Sequence, residues 1–372
     1  MAGIYIHIPF CKKRCFYCDF YSDTDISVID KYLISLKNQI MGFNKISVDT
    51  VYIGGGTPSL LSSAQMSQLL DTLDNRFILD KNCEITVEVN PDSCDLRKLI
   101  EYKEAGVNRL SVGVQTVNDK TLKAIGRIHN SKQVEKTLTD IKCCGINNIS
   151  ADIMLGLPYE GEKEIKETID LLYGYEVMHI SAYLLKIMES TPFYDESPDG
   201  LPDDDETATL YYYAAQLLED YSYTQYEVSN FAMSSFESKH NMKYWNCEDY
   251  IGFGAGAHSS LNGKRYHIEP DTKGYIKEFS HQSEDYMKSL IFEGNVGWDD
   301  YLILRLRTTK GLSLKKLKDR FSFETTPKMK ELFIRYMRMG LMEQEHDYVK
   351  LKRGGFLVSN EILSELLLAA EG

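Results

Sequence analysis

At 372 residues, with 43% apolar and 26% charged side chains, the chain has the make-up of a globular protein with room for one large domain and one small one. A formal net charge of −13 speaks against a general nucleic-acid binder, which needs a basic face for phosphates. No apolar run reaches the length of a membrane span, and residues 1–10 lack the sections of a signal peptide, so the expectation is a cytoplasmic protein without a transmembrane segment.

The chain opens on a β-branched run, Ile4–Ile8, followed at once by Cys11, Cys15 and Cys18. Closely spaced thiolates hold iron–sulfur clusters, and a [4Fe–4S] cube usually takes four of them. Three would leave one iron open to bind and activate a small molecule. A structural zinc site is the alternative, but it completes four ligands with a second Cys or His pair at similar spacing, and none follows. The other cysteines, Cys83, Cys94, Cys143, Cys144 and Cys247, form no regular framework, as expected of free thiols in a reducing compartment.

Further β-branched runs follow at Thr50–Ile53, Ile85–Val89, Arg109–Val114, Ile149–Met154 and Ile180–Leu184. Between them lie amphipathic stretches such as Met66–Leu73, Leu96–Ala105, Val134–Cys143 and Ile165–Leu172. Strand alternating with helix predicts a parallel sheet. Six such units predict an α/β fold resembling the first six of a (β/α)8 barrel, with a doubly wound open sheet as competitor. Reactive groups in such a barrel sit at the C-terminal ends of the strands. There the sequence places the cysteines, Gly54-Gly55-Gly56-Thr57-Pro58, Glu88, Gln115, Asp152 and Ser181-Ala182-Tyr183.

Each of these has a plain and a functional reading. The glycines make a tight turn or bare a backbone for a ligand. Glu88 and Asp152 cap helices or accept from the two hydroxyls of a ribose. Arg127 is a surface charge or the counter-ion of a carboxylate. The run Asp203–Glu206 reads as the acidic first turn of a helix over Leu210–Leu218. Gly252–His258 is glycine-rich without the context of a dinucleotide fingerprint, and predicts close backbone packing at the open edge of the barrel. Residues 301–372 carry 14 Lys and Arg against 9 Asp and Glu, net +5, which leaves 28 against 46, net −18, for residues 1–300. The change falls at the turn-rich Gly294-Asn295-Val296-Gly297, so the expected domains are 1–295 and 296–372.

The Cys-x3-Cys-x2-Cys spacing resembles that of the radical S-adenosylmethionine (SAM) enzymes, whose unligated iron is chelated by the amino acid part of SAM. Over nearly its whole length the chain is similar to the HemN/HemW group of these proteins. The matches are Tyr5–Cys11, Gly54–Pro58, Glu88–Pro91, Ser111–Gln115, Gly126–His129, Asp152–Pro158 and Tyr226–Ala232. The resemblance implies a [4Fe–4S] cluster on Cys11, Cys15 and Cys18. It implies SAM contacts at Tyr5, Tyr17, Gly55, Gly56, Thr57, Glu88, Gln115, Arg127, Asp152 and Ala182, and a partial (β/α)6 TIM-like barrel with a small helical, winged-helix-like domain at the C-terminus. Two functions divide the group. The coproporphyrinogen dehydrogenase branch continues its motif with Cys-x-Cys and has a longer N-terminal arm. Here Phe20 holds that position and ten residues precede Cys11. The heme chaperone branch carries Cys-x-Phe and His-Asn-x-x-Tyr-Trp, matched by His240-Asn241-Met242-Lys243-Tyr244-Trp245. The resemblance therefore implies a heme chaperone delivering heme to a membrane-bound hemoprotein, with the oxidative decarboxylation of coproporphyrinogen III as the alternative. It makes His240 the expected heme ligand, with Cys247 and His258 as further candidates and Tyr244 and Trp245 free to stack on the porphyrin.

Overall fold

In the computed structural model, which describes residues 1–281 and 286–370, six parallel strands lie side by side in chain order. They are β1 (Ala2–Ile8), β2 (Ser47–Gly55), β3 (Ile78–Val89), β4 (Arg109–Gln115), β5 (Asn148–Leu155) and β6 (His179–Leu184). A parallel strand is covered on both faces, which is why these segments read as nearly unbroken apolar runs. Ile4, Ile6 and Ile8 of β1 are fully buried, and every residue of β4 is buried. Helices Ser63–Arg76, Leu96–Glu104, Ser131–Cys144 and Glu162–Gly174 cover the outer face, adding Leu69, Leu99, Val134 and Ile165 to the same core. Their starts are encoded locally: Ser62 and Asn130 each close a capping box with the residue three positions on. The acidic run does the same, with Asp203 capping helix Asp204–Asp220 and accepting from the Glu206 N–H.

The barrel is open. On the far side of β6 lie β7 (Thr224–Gln225) and β8 (Asn230–Ala232), and on the far side of β1 lie β9 (Tyr250–Phe253), β10 (His258–Leu261), β11 (Lys264–His267) and β12 (Ile291–Asn295). Strand β9 runs parallel to β1, and the next three turn antiparallel. Gly252 permits this extension, because a Cβ there would stand 2.1 Å from the His258 carbonyl oxygen. The glycine-rich stretch is thus the tight seam between β9 and β10.

The C-terminal part has its own small sheet, β13 (Leu312–Ser313), β14 (Met342–Glu345) and β15 (Tyr348–Leu351), in the order β13-β15-β14. Helices surround it, and a separate hydrophobic cluster gathers Leu302, Phe333, Val349 and Leu366. It is tied to the barrel by backbone and guanidinium bonds. The Val228 N–H donates to the Arg307 carbonyl at 2.9 Å, Arg305 donates to Asn246 Oδ1 at 2.6 Å, and Arg320 donates to the Cys247 carbonyl at 2.9 Å. Among the described residues no helix is long and apolar enough to cross a membrane.

Candidate functional site

The three cysteines sit on the loop after β1. Short backbone bonds fold this loop: the Cys11 N–H donates to the Asp23 carbonyl at 2.9 Å, and the Cys18 N–H to the Cys15 carbonyl at 3.2 Å. Phe16 anchors it to the loop after β4, where its ring fills the space a Cβ on Gly126 would need. All three thiols line one cavity of about 430 Å³ at the C-terminal ends of the strands, and with them lie Tyr17, Gly55, Gly56, Thr57, Glu88, Gln115, Arg127 and Asp152. A polar chain closes around the cysteines. Cys11 Sγ lies 3.5 Å from Thr57 Oγ1, which accepts from Asn90 Nδ2 at 3.0 Å. Asn90 Oδ1 accepts in turn from Arg127 at 3.4 Å, and Arg127 ends 3.9 Å from Cys15 Sγ. Its other terminal nitrogen donates to the Gly113 carbonyl at 3.1 Å.

These residues fit an iron–sulfur cluster with an anionic ligand beside it. Burial pushes the Cys11 and Cys18 thiols up, so without a metal they keep their protons, which a bound iron would displace into solvent. Among the described residues no three His, Cys, Asp or Glu side chains converge as on a single ion. The three thiols share the lining of one cavity, where a cluster would take all of them. Arg127 Nε is buried without a hydrogen-bond partner, a donor left over for an anion. Glu88 takes the Tyr52 hydroxyl at 2.9 Å and the Gly55 N–H at 3.1 Å, while Asp152 accepts from Ser111 at 3.2 Å. Neither caps a helix. Burial, then the neighbouring Asp152, push Glu88 up to about 7, and burial raises Asp152 as well. Both carboxyl groups line the cavity, and a carboxylate has room to accept from more than one donor.

Other expectations meet a different outcome. The glycines do not bare their backbone to the cavity alone: a Cβ on Gly55, at φ +112°, would strike the His7 ring at 2.7 Å, and one on Gly56 the Phe10 backbone at 2.7 Å. They are there for the close fit of β2 against β1. Tyr5 points away from the cysteines into a neighbouring cavity, its hydroxyl 2.9 Å from His7 Nδ1. Ala182 belongs to the hydrophobic core, while Ser181 and Tyr183 beside it face the cysteine cavity.

The expectation of an axial nitrogen at His240 is not met. The side chain is buried, Nδ1 shares a 2.8 Å hydrogen bond with Thr50 Oγ1, and Nε2 shares one of 2.7 Å with the Tyr244 hydroxyl. The ring stacks on Tyr52 with centroids 5.4 Å apart, and burial holds it neutral, its pKa pushed down to about 3. Both nitrogens are spent, so His240 is a core residue tying helix Lys239–Trp245 to β2.

Sequence reasoning passed over Arg109, which lines the same cavity, is 2% exposed and has an unpaired Nε. In the sequence it stands only as the first residue of β4, and its burial is what marks it.

The model of the Radical SAM superfamily matches residues 5–172. The chain is 35% identical over 377 aligned positions, 99% of both chains, to the heme chaperone HemW of Bacillus subtilis. It is 36% identical to that of Escherichia coli, over 70% of each chain. A mouse protein described as "Radical S-adenosyl methionine domain-containing protein 1, mitochondrial" is 32% identical over 79% of this chain and 68% of its own. The solved structure of coproporphyrinogen III oxidase from Escherichia coli superposes with a TM-score of 0.85 at 20% identity, covering 98% of this chain and 89% of that one, which fixes the fold. An open barrel with three thiols at its rim, matched by that superfamily model, defines a radical SAM protein. Within that class, the chain belongs to the HemW family.

Proposed function

We propose that this protein is a heme chaperone that binds heme and passes it from the cytoplasm to a membrane-bound hemoprotein, with a [4Fe–4S] cluster and SAM in its barrel. What carries the reading is the cysteine cavity, with the unpaired Nε of Arg127 and two acids in its lining, in a chain matched end to end by a HemW chaperone. When bound, a cluster with an open iron supplies one-electron reduction of SAM. The residues of the chain do the rest. Cys11, Cys15 and Cys18 are the thiolates, Arg127 receives the SAM carboxylate and balances thiolate charge, and Glu88 and Asp152 accept from the ribose hydroxyls. Tyr17, Thr57 and Gln115 wall the pocket, and Gly55 and Gly56 keep its floor low. The division at 295/296 belongs to the same reading, with the basic C-terminal part as a separate unit facing an acidic partner or an anionic membrane surface.

Phe20 favours chaperone over dehydrogenase. Its ring is 66% exposed at the cavity mouth, where the resemblance puts a cysteine in the dehydrogenase branch. The test is anaerobic incubation of the reconstituted protein with coproporphyrinogen III and SAM. The expected result is no protoporphyrinogen; SAM-dependent conversion would make the protein a decarboxylase instead.

A further inference from the structure

A second cavity, about 680 Å³, opens beside the first, and Asp19, Phe20, Gly55 and Glu88 line both. Its size suits a bulky ligand. Its walls are aromatic, from Tyr5, Phe20, Tyr244 and Tyr250, and its outer side carries His258 and His267. These two are register partners on the antiparallel strands β10 and β11, with ring centroids 5.6 Å apart. Glu293, from β12, sits behind both: one of its carboxylate oxygens lies 3.2 Å from His258 Nδ1 and 3.0 Å from His267 Nδ1. The approach to His267 lies off the hydrogen-bond direction, for its Nδ1 has no hydrogen bond. His258 is the more open of the two, its side chain 58% exposed against 25%.

We propose that this second cavity is the heme site and that the iron takes Nε2 of His258; the proposal rests on the chaperone reading. A carboxylate oxygen 3.2 Å from Nδ1 favours the proton on that nitrogen and leaves Nε2 as the lone-pair donor, as outer carboxylates do for metal-binding imidazoles. Neutral imidazole is an ordinary axial ligand of heme iron, and flat aromatic walls offer stacking to a planar macrocycle. Unlike His240, His258 reaches the cavity without giving up a core hydrogen bond. Phe20 and Glu88 stand between the two cavities and line both.

The experiment is a ferric heme titration of the cluster-reconstituted full-length protein, followed by absorption and magnetic circular dichroism, for wild type, His258→Ala and Glu293→Gln. In His258→Ala the Soret band and the axial-ligand signature should change and affinity fall, with cluster iron and sulfide at the wild-type level. Glu293→Gln, which keeps the side-chain volume, should weaken heme binding by about tenfold or more, the usual effect of losing the partner of a metal-bound histidine. A wild-type spectrum and affinity in His258→Ala would overturn the site while leaving the chaperone reading intact. Failure of the wild-type protein to bind heme at all would overturn the chaperone reading, and the site with it.

Discussion

Arg127 carries the charge balance of the cysteine cavity. One of its terminal nitrogens is aimed at Cys15 and another at the Gly113 carbonyl, and its Nε is unpaired. Arg127→Ala should weaken SAM binding by about 1.5–3 kcal/mol, the scale of a charge-assisted hydrogen bond, with the cluster retained. Calorimetric titration measures it, and an unchanged affinity would take Arg127 out of the site. The thiols admit a sharper test. Replacing Cys11, Cys15 or Cys18 with Ala removes one ligand from a set with none spare, so iron and sulfide analysis should find the cluster lost. About four irons per chain in any such variant, the content of a cubane, would sink the assignment. Glu88 predicts a pH effect. With its pKa raised from 4.5 to about 7, the folded chain holds a proton that the unfolded chain releases, so this group takes away stability as pH rises from about 4.5 to 7. Glu88→Gln removes that loss. Its melting temperature relative to wild type, in the protein free of SAM, should therefore be higher at pH 8 than at pH 5; an equal difference at both would deny the burial argument.

At the scale of elements, helix Lys239–Trp245 is pinned to the barrel from one end to the other. The His240 N–H donates to Glu84 at 3.2 Å while its ring bridges Thr50 and Tyr244, and Lys243 pairs with Asp49 at 2.8 Å. His240→Ala should cost about 2–4 kcal/mol, from two lost hydrogen bonds and the space left behind. Chemical denaturation measures this, and the heme spectrum should not move. A shifted Soret band with unchanged stability would return His240 to the heme. The elements legible in the sequence were those whose physics is local. Strands β1 to β6 show as apolar runs because both faces are covered, and their helices show as stripes. Helix Ile29–Met41 was not read, since polar Ser35 and Gln39 occupy its buried face and break the apolar period. Strands β9 to β12 are only four or five residues long, and residues such as Ser259, Ser260 and Arg265 give no run to read.

Across the whole molecule, what the sequence made plain was the rim of the barrel. Cysteine loop, glycine turn and strand-end acids each announce themselves in a few neighbouring residues, and the fold gathers them. What it concealed was assembled from distant positions. His258, His267 and Glu293 meet only because three antiparallel strands extend the open edge, and Arg109 becomes notable only once it is seen buried without its full set of partners. The seam between barrel and C-terminal part is of the same kind. Arg305, 5% exposed, reaches across it to Asn246, and Arg305→Ala should lower stability by about 1.5–3 kcal/mol through the loss of a buried charge-assisted bond. Differential scanning calorimetry would register this as a lower melting temperature; an unchanged one would mean the seam is held elsewhere.

The central claim, a heme-binding radical SAM protein, is tested most directly by titrating the anaerobically reconstituted wild-type protein with heme and recording its absorption spectrum. The account predicts a Soret band that grows to saturation while the iron–sulfur absorption persists. A spectrum equal at every point to the sum of free heme and protein would contradict it.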